Sequence, residues 1–283
     1  MGRILNTELT LPEQEFELTD KDFHFIQWFM HKHVGIFLSD QKRAMVYGRV
    51  SRQLRRLGLR RFREYRPLIE NDRQERVTFI NCLTTNKTSF FREYHHFEFL
   101  DQVLSRQWQE QGKKQVAVWS AGCSSGEEPY SIAASLAAFE RKGQLDEVVI
   151  VATDLDTAVL EKAQLGIYSD EALNSIPKHY LKGNFVRGVG RQSGQIKVKQ
   201  RLMDHVQFSP LNLLETWPFT ASFDVIFCRN VMIYFDKKTQ ARLLKRFYQQ
   251  LSPDGVLFLG HSESLPDGVD CFHHLGHTIY VKK

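Results

Sequence analysis

Beyond Lys114 the chain alternates short β-rich apolar runs with helical stretches: Val116 to Ser120, Glu127 to Phe139, Val148 to Thr153, then Thr157 to Leu165. This βαβ alternation restricts the carboxyl-terminal part to a largely parallel sheet covered by helices. The pattern continues through Phe223 to Cys228 and a helix carrying Leu243, Leu244, Phe247 and Leu251. A Pro253-Asp254-Gly255 turn, the run Val256 to Gly260 and a last strand around Thr278 to Val281 complete it. A doubly wound sheet accommodates all of these. Between its halves, Phe185 to Gln200 carries glycines at 188, 190 and 194 with alternating Ile196 and Val198, which predicts an inserted hairpin too short to be a domain.

Ahead of the sheet, the pattern from Thr19 to about Trp108 is helical. Thr19 and Asp22 form a capping-box signature, Phe23, Ile26, Met30 and Val34 recur at helical spacing, and Gly35 follows. A second helix opened by Ser39 or Asp40 and closed near Gly58 places Val46, Val50, Leu54 and Leu57 on one face. The expected organisation is a helical domain over 15–84, a linking segment over 85–114 that contributes to a ligand site, and an α/β domain over 115–283 with a small β insertion at about 184–202.

The net charge of +5 hides an asymmetry, because Gln41 to Arg66 holds ten Lys or Arg against Glu64 alone, leaving −4 for the rest of the 283 residues. A concentration of +9 repels itself and gains little from helical ion pairs, so it points to a polyanionic partner. Met1 to Asp20 does not resemble a signal peptide, and no apolar stretch reaches bilayer length. The four cysteines are scattered without a CxxC pair, which favours reduced thiols over disulfides or structural zinc. The His95-His96 and His273-His274 pairs place neighbouring side chains in different directions, so no metal site is expected.

The strongest local constellation is Val118-Trp119-Ser120-Ala121-Gly122-Cys123-Ser124-Ser125-Gly126-Glu127-Glu128-Pro129, a strand entering a glycine turn and then a helix. It is neither GxGxxG nor GxxxxGK[ST]. Two carboxylates at a helix start repel a pyrophosphate but suit a ligand whose charges are a sulfonium and an ammonium, the pattern of S-adenosylmethionine. Asp154, at the carboxyl end of the next strand, is the candidate for a ribose diol, whereas Asp156 reads as the cap of the following helix. Cys123 reads as a small apolar filler.

At these residues the chain resembles the chemotaxis receptor methyltransferase family, CheR. The resemblance lies in Asn86-Lys87-Thr88-Ser89-Phe90-Phe91-Arg92, Trp119 to Tyr130, Asp154, Asn212-Leu213-Leu214, Cys228-Arg229-Asn230-Val231-Met232-Ile233-Tyr234-Phe235-Asp236 and Gly260-His261-Ser262-Glu263. It covers nearly the whole chain. It implies a Rossmann-like class I methyltransferase domain with an inserted antiparallel β subdomain, preceded by a small all-α domain. It implies an S-adenosylmethionine-dependent transfer that esterifies receptor glutamates, performed in the cytoplasm at receptor arrays.

Carried over by motif, the resemblance implies that Asn86, Thr88 and Arg92 approach the cofactor from the linking segment, while Glu127, Glu128 and Asp154 bind it from the sheet edge. Asn212 and Leu213 would flank adenine, Arg229 and Asn230 would border the methionine moiety, and Tyr234 would face the substrate with Arg92. The carboxylate acceptor needs no general base, since its ordinary pKa is about 4.3; placement and exclusion of water are the expected tools. Arg49, Arg52, Arg55 and Arg56 would meet acidic receptor helices. The segment from Gly188 through Gly190 to Gln200 would offer an edge strand to a receptor tail. The rival readings are a nucleic-acid methyltransferase, which lacks an Asn/Asp-Pro-Pro-aromatic block here, and a non-catalytic cofactor-binding regulator.

Overall fold

A computed structural model describes residues 15–283, so most of the leader reading lies outside the described residues. No helix among them is long and apolar enough to cross a membrane. The chain divides into two units: the described residues up to Met30 with Leu38–Leu83, and His31–Phe37 with Thr84–Lys283.

The first unit is helical. Helix α1 (Asp20–Val34) starts with the expected reciprocal cap, in which the Asp22 amide donates to Thr19 Oγ1 and the Thr19 amide to Asp22 Oδ2. Helix α2 (Arg43–Leu57) follows a short turn of 3-10 helix and ends at Gly58 in the left-handed conformation, φ 68°. Helices α3 (Phe62–Asn71) and α4 (Arg73–Leu83) complete the unit. Val46, Val50 and Leu54 are buried as their spacing requires, with Phe29, Phe62, Tyr65 and Phe79 forming an aromatic core. The basic segment departs from its sequence reading. Arg43 pairs with Asp20, Arg55 with Glu15, Arg56 with Glu75, Arg61 with Glu17 and Arg66 with Glu70. Glu15 and Glu17 precede α1, Asp20 opens it and Glu75 belongs to α4, all beyond a local window, whereas Glu70 is an i,i+4 neighbour of Arg66 within α3; Arg55 and Arg56 thus do not lack acidic neighbours. Exposed pairs of this kind contribute little, and a partner's carboxylates can replace them.

In the second unit the linking segment is itself helical: α5 (His95–Phe99), a π-helical turn over Leu100–Leu104 and α6 (Ser105–Glu110) lead into the sheet. Chain order then gives β1 (Gln115–Ala121), α7 (Glu127–Arg141), β2 (Glu147–Asp154), α8 (Thr157–Leu165), β3 (Ile167–Ser169), α9 (Lys178–Leu181), β4 (Phe185–Arg187) and β5 (Gln195–Val198). After these come α10 (Gln200–Met203), β6 (Val206–Pro210), β7 (Phe223–Cys228), α11 (Lys237–Gln250), β8 (Leu251–Leu259), β9 (Phe272–Gly276) and β10 (Ile279–Lys282).

Seven strands form one sheet in the order β6-β2-β1-β7-β8-β10-β9. The pairs among β6, β2, β1, β7 and β8 are parallel, and β10 runs antiparallel to both its neighbours. Side chains alternate between two cores: Val116 and Val118 of β1 face one, Trp119 and Ala121 the other. Strand order reverses between β1 and β7, so the carboxyl ends of the parallel strands there are the place to expect a ligand. The Pro253-Asp254-Gly255 turn is instead a bulge inside β8, where the register with β7 shifts and Asp254 takes φ 58°.

The insertion is a three-stranded antiparallel sheet in the order β3-β5-β4. It begins with β3, so 184–202 is too narrow a boundary. The chain enters after Gly166, and its carbonyl accepts from the Val198 amide at 2.9 Å as the chain leaves. Because β5 is the central strand, Gly188 to Gln200 offers no free edge; Gly188 and Gly190 sit in the β4–β5 connection, and the free edges belong to β3 and β4.

Candidate active site

The glycine turn after β1 closes onto β2. The Gly122 and Cys123 amides donate to the Thr153 carbonyl at 2.8 and 2.9 Å, and the Ser124 amide donates to Asp154 Oδ2 at 2.8 Å. Asp154 Oδ1 accepts from the Asp156 amide at 2.9 Å. Burial pushes the Asp154 carboxyl up to about 6, even though these amides favour its charge. Gly122 has φ 88°, and a Cβ there would stand 2.3 Å from Val231 Cγ2, so glycine lets the 228–236 loop approach the turn. The Cys123 thiol is buried and pushed upward by that burial, then by Asp154 and Glu128, consistent with a filler.

The acids at the start of α7 turn inward. Glu128 Oε1 accepts from Ser120 Oγ at 2.7 Å, and Glu128 Oε2 lies 3.4 Å from Arg229 Nη1. Glu127 accepts from Ser125 Oγ at 2.7 Å. Burial raises both carboxyls; Arg229 opposes it for Glu128 and the Ser125 bond for Glu127. The Arg229 side chain is 2% exposed and sits between two carboxylates, because Glu93 Oε2 approaches Nη2 to 3.4 Å from the other side. Nη2 also donates to the Arg92 carbonyl, while Nε has no partner. Burial acts to raise Glu93, but Arg229, then His261 at 2.8 Å and His96 outweigh it and hold this carboxyl below its usual range. Four residues other than glycine in these loops have left-handed backbones, Phe91, Glu93, Ser124 and Asn230. Such strain persists only where surrounding bonds enforce it.

The remaining candidates are held in different ways. Asn86 Nδ2 donates to Asp156 Oδ2 at 2.6 Å beside Thr84 Oγ1 at 2.7 Å, and Ser124 Oγ donates to the Asn86 carbonyl at 3.0 Å. Asp156 also caps α8 through the Ala158 amide, as its position suggested. Thr88 and Arg92 are half-buried on this segment, and Arg92 Nη1 donates to the Lys87 carbonyl at 3.1 Å. Tyr234 Oη donates to the Thr85 carbonyl at 3.3 Å. Asn212 is a turn former: Nδ2 donates to the His33 carbonyl and Oδ1 accepts from the Leu214 amide. The neighbouring Leu213 is buried beside Trp217. Arg49, Arg52, Arg55 and Arg56 belong to the helical unit, and Gly188 and Gly190 to the inserted sheet.

Sequence reasoning missed two organisers. Glu93 joins Arg229 to His261. Glu263 gathers the Gly260, Asn230 and Ile233 amides at 2.6, 2.8 and 3.2 Å and so ties the loop after β8 to the loop after β7. Both stand in or beside quoted motifs, but the role of a single glutamate is not encoded in spacing. The adjacent histidines also differ from expectation: ligand atoms of Glu93, His95 and His96 lie within 4.8 Å of one another. A cation there would meet the Arg229 guanidinium, 3.4 Å from the same carboxylate.

Residues 86–281 match the family described as CheR methyltransferase, SAM binding domain, and residues 21–84 match CheR methyltransferase, all-alpha domain. The chain belongs to the CheR methyltransferase family. It is similar to chemotaxis protein methyltransferase 2 of Pseudomonas aeruginosa, at 44% identity over 94% of this chain and 95% of that one. It is also similar to the chemotaxis protein methyltransferase of Escherichia coli, at 45% identity over 95% and 93% of the two chains. CheR membership makes the protein an S-adenosylmethionine-dependent methyltransferase of chemotaxis, with the class I fold described above. The residues fit that cofactor. Asp154 is buried at the end of β2, Glu127 and Glu128 are half-buried in the first turn of α7, and the neighbouring Arg229 charge is already answered by Glu93 and Glu128.

Proposed function

We propose that this site esterifies glutamate side chains of chemoreceptors, with Arg92 and Tyr234 placing the acceptor carboxylate. The observation that supports it is the division of labour between two neighbouring arginines: Arg229 is spent between Glu93 and Glu128, while Arg92 is half-buried and bonded only through Nη1 to a carbonyl, with Glu93 at 4.0 Å. When bound, S-adenosylmethionine supplies a sulfonium-activated methyl group that passes to a carboxylate oxygen while sulfur keeps the bonding electron pair. Glu128, with Glu127, would face the cofactor's positive groups, Asp154 its ribose, and the Asn212–Leu213 turn its adenine. Asn86 and Thr88 would close the site from the linking segment, and Asn230 would border the methionine end. Arg92 would orient the acceptor with one charge-assisted bond, and Tyr234 would add a weaker one. A stronger cationic grip would stabilise the ground state, because the acceptor loses its charge on transfer.

Arg55 and Arg56 would exchange Glu15 and Glu75 for acids of receptor helices, and Arg49 and Arg52 would meet the same helices, drawing the enzyme to receptor arrays. A receptor tail would add to the β4 edge of the insertion rather than to β5. The decisive experiment supplies methyl-labelled S-adenosylmethionine to receptor-rich membranes, with structured RNA and DNA in parallel, and collects methanol released by alkali. Base-labile label on receptors is expected; label confined to nucleic acid would overturn the reading.

A further inference from the structure

Helix α11 carries five basic residues, Lys237, Lys238, Arg242, Lys245 and Arg246, and no acid. Leu243, Leu244 and Phe247 are buried, which turns Lys238, Arg242, Lys245 and Gln249 outward as one exposed stripe. With Ala241 and Arg246 these residues line a shallow depression of about 450 Å³. Among the described residues, Lys238, Arg242 and Lys245 form no ion pair or hydrogen bond. Like charges at these spacings work against the helix, and repulsion from Arg242 adds to burial in lowering the Arg246 pKa. Arg246 is held apart from the stripe's outer row: it donates to the Leu213 and Glu215 carbonyls at 2.6 and 2.5 Å and lies 3.9 Å over the Trp217 ring. An ordinary solvated face needs no such accumulation, and helix α2 answers three of its five arginines, Arg43, Arg55 and Arg56, with acids, while the outer row of α11 has none.

The stripe also starts in a telling place. Helix α11 is the crossover between parallel strands β7 and β8, so its amino end lies at the carboxyl edge where Arg229, Asn230 and Tyr234 stand. Asp236 caps it through the Thr239 amide at 2.8 Å, two residues after Tyr234. From Lys238 to Lys245 the cations extend about 10 Å along the helix axis away from that edge.

We propose that the Lys238–Arg242–Lys245 stripe is a second docking surface for the acceptor protein, taking the acidic helix turns that flank the glutamate held at Arg92 and Tyr234. Acids spaced one turn apart on a receptor helix match cations spaced one turn apart on α11, so a helix laid along the stripe is read in register. The face has no exposed aromatic or large aliphatic residue, which argues against insertion into a lipid surface. This inference rests on the receptor reading above.

The test compares the wild type with the triple variant Lys238→Glu, Arg242→Glu, Lys245→Glu, leaving Arg246 in place. Both are assayed on a soluble cytoplasmic receptor fragment at low and high salt, with cofactor affinity measured separately. Expected for the variant are a receptor KM raised on the order of tenfold, a flattened salt dependence, and unchanged kcat and cofactor affinity. An unchanged KM with a wild-type salt slope would overturn the proposal. So would loss of wild-type binding to receptor-free phosphatidylglycerol vesicles, or to a structured RNA, in a variant whose receptor KM is intact. If the wild type itself places no base-labile methyl on receptors, it is the underlying receptor reading that fails.

Discussion

Arg229 is bounded by Glu93, Glu128 and the Arg92 carbonyl, with 2% of its side chain exposed. Removing one partner from a buried pair leaves the others uncompensated, so Arg229→Met should destabilise the protein by about 3–5 kcal/mol and weaken cofactor binding with it. Chemical denaturation with and without S-adenosylhomocysteine reads both effects; an unaltered midpoint would show that the two carboxylates do not need this cation. Arg92→Ala removes a half-buried side chain with one hydrogen bond to a carbonyl, so it should cost about 1 kcal/mol of stability and depress kcat; unchanged turnover would remove Arg92 from the acceptor site. Asp154 makes a pH prediction. Its folded pKa of about 6 lies above the ordinary 3.8, so the folded chain holds a proton between those values that the unfolded chain has lost. Its contribution to stability is therefore greatest below pH 4 and falls as pH rises to 6, by about 3 kcal/mol. Urea titrations of wild type and Asp154→Asn at pH 4 and pH 7 should show the difference between them moving in favour of the variant at the higher pH.

At the scale of elements, the loops after β7 and β8 are held by one carboxylate. Glu263→Ala would strand the Asn230, Ile233 and Gly260 amides, at a cost of about 3 kcal/mol. Because Tyr234 stands in the loop so released, kcat should fall while the helical content seen by circular dichroism stays constant. Central elements were legible because burial on both faces writes a continuous apolar run: β1, β2, β7 and the core of β8 each show it, and α8 and β7 match their expected limits. The strands that went unseen, β3, β6 and β9, all lie at sheet edges and bury one residue or none each, so nothing in their composition separates them from loop. The site was legible through its strings of residues, not through its bonds; Glu93 and Glu263 act on groups brought close only by the fold.

Across the whole molecule, positive charge is distributed in two different states. On α2 it is largely answered by acids that a local reading of the sequence cannot associate with it, while on α11 it is not. Added salt should raise the receptor KM without changing cofactor affinity, since the acids proposed to meet the cofactor are buried or half-buried and are screened less than exposed cations; parallel loss of both with salt would point to a general effect on the fold. The neck of the inserted sheet, where Val198 bonds to Gly166 across 2.9 Å, has a separate implication. A segment that departs and returns at one point is a natural cassette. Its strands can lengthen, shorten or be exchanged for those of another family member while β2 and β6 remain paired beneath it, provided that Tyr168 is kept to bond the Ser125 carbonyl. With the tail contact proposed above, receptor preference would be exchangeable apart from the transfer chemistry, and a chimera carrying a foreign insert should inherit its donor's taste in receptors.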